Sequence, residues 1–139
     1  MKFSPSSAVS VFVVCSVTAI WGQAAQAQVQ LACGVTYAGS TQRVVVGPVA
    51  DPYTAPSVDI AGRFLFKPIV VGHAQKIDRI VIYTYLDAQP HPVLIHQAKY
   101  LPPFAHTQQP WPLTGQHFLY GGPQERELHY SCTLEGWAP

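Results

Sequence analysis

Apolar and polar side chains alternate with a period of two at both ends of the region that follows residue 27. Over residues 29–37 the odd positions are Val, Leu, Cys, Val and Tyr, and the even ones Gln, Ala, Gly and Thr. Over residues 126–134 the even positions are Arg, Leu, Tyr, Cys and Leu, and the odd ones Glu, His, Ser and Thr. Successive strand side chains point to opposite faces, so each stretch predicts a half-buried β-strand. Cys33 and Cys132 both fall on the apolar face.

Five further strand-like runs lie between these two. Residues 43–46 are short and β-branched, and Gly47-Pro48 stops them. Residues 64–71 (FLFKPIVV) are apolar almost throughout; Pro68 has no N–H for a ladder, which predicts an edge or bulged strand. Residues 77–86 (IDRIVIYTYL) carry the strongest strand pattern, and a hairpin over residues 72–76 would pair them with FLFKPIVV. Residues 93–100 and 116–120 complete the set, separated by a proline-braced loop over residues 101–112. Apolar spacing of three and four never persists for three turns after residue 27, which limits helix to one or two turns near residues 49–53. About seven short strands with regular turn signals predict an all-β fold. The expected form is an antiparallel β-sandwich, immunoglobulin-like or jelly-roll-like, or a small barrel. Tyr130-x-Cys132 resembles the tyrosine-before-cysteine of immunoglobulin domains, although no Trp lies on a middle strand between the cysteines and Cys132 sits on the last strand.

The first 27 residues follow a different pattern. Lys2 precedes an uncharged, mostly apolar run over residues 8–21, and Ala25-x-Ala27 offers the small residues a signal peptidase requires. The expectation is a cleaved signal peptide over residues 1–27 and a single domain over residues 28–139, exported to the periplasm or secreted. The apolar run is shorter than the roughly 20 residues of a spanning helix, which argues against a retained anchor. Lipidation at Cys33 is the other alternative; Gln30 stands where an aliphatic residue would be required, and acylation would leave Cys132 unpaired. Cys15 departs with the leader, so Cys33 and Cys132 predict one disulfide in an oxidising compartment.

Charge changes the picture further. Of eight basic side chains Lys2 lies in the leader, which leaves seven against seven acids. That balance supplies neither a basic patch for nucleic acid nor a polybasic segment for anionic lipid. Hydrophobic residues make up 48% of the chain and charged ones only 11%, enough to fill a core with apolar surface to spare.

Candidate chemistry is sparse. Glu127, His129 and Ser131 alternate on the polar face of the last strand, an acid, a base and a hydroxyl. Same-face neighbours stand about 6.6 Å apart along a strand, whereas a nucleophile and its base need roughly 2.6–3.2 Å. With no nucleophile elbow beside them, they read as an ordinary outer face, and no enzyme is expected. The six histidines show no metal-ligand spacing. Only convergence of distant strands would assemble a site, with His91, His96 and His117 as its candidates. No cofactor is implied. Aromatic side chains crowd the second half, and Tyr83, Tyr85, Tyr100, Phe104 and Trp111 form the candidate binding surface together with the proline-rich loop. Tyr83 and Tyr85 share one strand face with Val81, opposite Ile80, Ile82 and Leu86. That face either looks outward or lies beneath the loop over residues 101–115.

The expected role is therefore an exported, non-catalytic domain that binds a protein or carbohydrate partner. A periplasmic metal- or small-ligand-binding protein that uses histidines is the alternative. A structural subunit of an envelope or secretion assembly, accepting a strand at FLFKPIVV, is the second.

Overall fold

The computed structural model describes residues 28–106 and 109–136; the leader expected over residues 1–27 lies outside them. The described chain forms ten strands: β1 (Gln30–Tyr37), β2 (Ser40–Val46), β3 (Pro48–Val49), β4 (Val58–Ile60), β5 (Phe64–His73), β6 (Lys76–Leu86), β7 (Val93–Tyr100), β8 (Trp111–Pro112), β9 (His117–Gly121) and β10 (Arg126–Glu135). A single 3-10 turn, Pro52–Thr54, follows β3, close to the predicted helical turn. All seven expected runs become strands. The three additional ones, β3, β4 and β8, are two or three residues long, too short to show an alternation.

Two five-stranded sheets pack into a sandwich. The first has the order β2-β1-β10, and β8 and β9 pair with different ends of the far edge of β10. The second has the order β5-β6-β7, and β3 and β4 pair with different ends of the outer edge of β5. Every pairing is antiparallel except β3 with β5.

Register follows from the alternation. β1 and β10 are direct neighbours, with Leu31 opposite Leu134, Cys33 opposite Cys132 and Val35 opposite Tyr130. The two cysteines are disulfide-bonded across the ladder, with Cα atoms 4.0 Å apart. From the other sheet Phe64, Phe66, Val70, Ile80 and Ile82 meet these side chains and complete the buried core. Phe66 lies against Tyr130 with ring centroids 5.1 Å apart.

Two turns show how local sequence sets the pairing. Ala38 and Gly39, both at positive φ, close the two-residue hairpin from β1 to β2, the backbone twist that such loops require. Gly72 sits at the register shift of the β5–β6 hairpin, where a Cβ would collide with the Lys76 carbonyl oxygen.

Of the two expectations for the strand with Pro68, edge or bulged, the ladder with β6 does shift register at Val71/Gly72, but β5 is not an edge. β5 is paired on both sides, but its outer edge is interrupted: β4 reaches residues 64–66 and β3 reaches residues 70–71. The missing N–H of Pro68 falls in the gap between them, so no ladder bond is lost there. FLFKPIVV is thus a poor acceptor for a neighbour's strand. The longer strands left with one partner are β2 and β7.

Candidate aromatic–cationic binding face

Strand parity places Leu65, Lys67, Ile69 and Val71 of β5, Arg79, Val81, Tyr83 and Tyr85 of β6, and Gln97 and Lys99 of β7 on the side away from the core. The register brings Lys67 beside Tyr83, Val71 beside Arg79, and Val81 beside Lys99. The rings of Tyr83 and Tyr85 are 6.3 Å apart and inclined by only 29°, a nearly continuous strip. Beside them a groove of about 300 Å³ runs down the sheet, its floor formed by Ile69 and Val81 and its wall by the 3-10 turn with Pro52 and Tyr53. Tyr53 is 92% exposed, its ring presented to solvent. Asp51 holds that turn by accepting a hydrogen bond from the Tyr53 amide at 2.9 Å.

The electrostatics of this face are one-sided. Lys67, Arg79 and Lys99 make no ion pair among the described residues. No carboxylate lines the groove.

The five aromatics grouped by sequence do not form one surface. Tyr83 and Tyr85 look outward, and no described residue of the loop that begins at residue 101 lines their groove. Phe104 is instead buried in the core, and Tyr100 and Trp111 pack partly buried against it. Phe104 therefore closes the sandwich rather than extending the tyrosine face, because the gap between the sheets offers its phenyl ring an apolar site. Lys67 and Tyr53 were missed. The first is legible from parity along β5; the second depends on where the 3-10 turn settles.

The histidines are separated in a similar way. His91 lies on an exposed turn before β7. His96 on β7 and His117 on β9 come together across the seam between the sheets, with ring centroids 5.3 Å apart. Their nitrogens meet phenols rather than a third metal ligand. His96 Nε2 lies 2.8 Å from Tyr130 Oη, and His117 Nε2 lies 3.2 Å from Tyr100 Oη. The His117 ring also stacks on Tyr130 at 5.0 Å. Burial, reinforced by the neighbouring His117, lowers the His96 pKa below the ordinary histidine value. Burial, followed by the proximity of Tyr100, raises that of Tyr130, which stays a phenol. No group of three or more His, Cys, Asp or Glu side chains is placed to hold a metal among the described residues.

On the opposite face of the molecule His129 Nδ1 lies 3.7 Å from Glu127 Oε1. No hydrogen bond joins Ser131 to His129 among the described residues, so the three do not make a relay. Phe118 and Tyr120 are exposed on the same sheet, and Phe118 leans on the His129 ring at 5.5 Å. No helix among the described residues is long and apolar enough to cross a membrane. Comparison with protein-family models, curated proteins and solved structures returned no match.

Proposed function

We propose that this protein is an exported, non-catalytic binding domain that holds a macromolecular partner on the outer face of the β5–β6–β7 sheet. The observation that carries the reading is the stacked Tyr83–Tyr85 strip beside an apolar groove, flanked by Lys67 and Arg79, which make no ion pair among the described residues. Tyrosine brings a large contact area at little cost in side-chain entropy, and its hydroxyl tolerates water when the face is empty. Paired strands behind the rings hold them in place, so little ordering remains for the moment of binding. Phe104 of the proline-braced loop lies in the core and does not contribute to this contact surface.

The test is capture from a cell-envelope extract on the immobilised domain. The domain carries either Tyr83→Ala with Tyr85→Ala or, on the other sheet, Phe118→Ala with Tyr120→Ala. The first pair should lower capture of the species seen with the native domain at least tenfold. The second should leave it unchanged, with melting curves showing all three forms folded. Equal capture by all three would remove the assignment.

A further inference from the structure

We infer that the ligand of the β5–β6–β7 face is an acidic polysaccharide, a linear chain of sugar rings that carries carboxylates. The inference rests on the reading of that face as the contact surface and adds the chemistry that the face selects.

Charge is the first argument. Three cations, Lys67, Arg79 and Lys99, occupy outward positions without ion-pair partners among the described residues, and none of the described acids lines the groove beside them. Unneutralised charge of one sign beside a low-dielectric wall attracts the opposite sign and repels its own.

Backbone availability is the second. β6, which carries both tyrosines, is paired on one side with β5 and on the other with β7. Its N–H and C=O groups are engaged in ladders, and an extended peptide adds to a sheet at an open edge, not on a face. A ligand here is held by rings and charged side chains alone. Sugar rings suit that arrangement: the apolar ring face lies flat on an aromatic strip, and the hydroxyls around it stay in water.

Spacing is the third. Lys67 is the cross-strand partner of Tyr83, and Arg79 lies four residues from Tyr83 on the same strand, about 13 Å away at the usual rise. Where both side chains stand upright on the sheet, one carboxylate does not span the gap. Negative charges that recur along a polymer, with uncharged ring faces between them, do. Single-stranded nucleic acid also combines flat rings with negative charge, but it carries a phosphate at every nucleotide. Its affinity grows with the number of phosphates neutralised, and three cations, on a region whose seven bases only balance its seven acids, offer few.

Affinity electrophoresis of the processed protein tests this directly. Polygalacturonate, alginate and hyaluronate are cast in separate gels, with fully methyl-esterified polygalacturonate, poly-glutamate and oligo-dT in parallel. The expected result is retardation by at least one acidic polysaccharide, at least tenfold tighter than by the other three polymers and weakened by salt. Lys67→Gln with Arg79→Gln should weaken it about tenfold, as should Tyr83→Ala with Tyr85→Ala. The glutamine pair changes only surface side chains and keeps the test valid if the tyrosine pair fails to fold. Retardation by none of the acidic polysaccharides, or equally by the esterified polymer, overturns the inference. Stronger retardation by poly-glutamate or oligo-dT that is lost in the same variants also overturns it, while the face survives as the contact surface. Retardation that persists in both variants overturns the face and its ligand class together.

Discussion

Thr84 is fully buried, and its hydroxyl has no hydrogen-bond partner among the described residues. It occupies an inward position of β6, in line with Ile80 and Ile82, where the alternation of the strand calls for an apolar side chain. An unmet buried hydroxyl costs roughly 1–3 kcal/mol, and valine has the same branched shape without that cost. Thr84→Val is therefore expected to stabilise the protein by about 1 kcal/mol, read as a higher urea midpoint at unchanged slope. A lower midpoint would mean that the hydroxyl is satisfied. Tyr130 presents the contrasting case: it is equally buried, but its hydroxyl reaches His96. Parity along the strand predicts the burial of both residues. It is silent on their partners, which come from another strand.

At the scale of elements, the seam where β7 meets β9 and β10 holds the one histidine whose pKa is clearly shifted among the described residues. His96 and His117 face each other there, with Tyr100 and Tyr130 as their hydrogen-bonding neighbours and Thr84 opposite His96 on β6. The pKa of His96 is lowered in the fold, first by burial and then by His117. The folded state therefore binds fewer protons than the unfolded one, and stability falls as pH drops below the unfolded histidine value near about 6.5. Above that value this group contributes no pH dependence. Melting temperature should decline between pH 7 and pH 5, and His96→Gln, which keeps a polar contact to Tyr130 but does not titrate, should flatten the decline. Identical slopes in the two proteins would assign the acid sensitivity elsewhere. The pairing itself was not legible: His96 and His117 belong to different sheets, and no local spacing encodes a contact between sheets.

Across the whole molecule, the disulfide spans a sequence separation of 99 residues and closes a loop that contains the entire β5–β6–β7 sheet. In the chain-entropy account a loop of that length restricts the unfolded state by up to about 4–5 kcal/mol, although measured losses are commonly about 2–5 kcal/mol. Cys33→Ala with Cys132→Ala should lower unfolding free energy by an amount in that range, measured by guanidinium titration. A loss below about 1 kcal/mol would show that the reduced, unfolded chain already keeps the β1 and β10 segments, paired over eight residues in the fold, close together without the bond. Overall architecture was legible where elements were long. β1, β5, β6 and β10 carry enough residues for a period to show, whereas β3, β4 and β8 do not. The destination of the loop after β7 was not legible either. A phenyl ring in a proline-rich stretch is equally suited to a surface or to a gap in a core, and the gap exists only once both sheets are assembled.

The linear chain by itself determined the all-β class, the seven principal strands, the buried face of the first and last of them and the pairing of Cys33 with Cys132, because a period of two and the chemistry of two thiols are local properties. Beyond the β5–β6 hairpin, tertiary structure alone decided which strands neighbour one another, that Phe104 is core, that His96 and His117 share a seam, and that Lys67, Arg79 and the two stacked tyrosines share one face. Those placements arise when two apolar surfaces close on each other, and the relative position of residues far apart in sequence then follows from how the sheets fit.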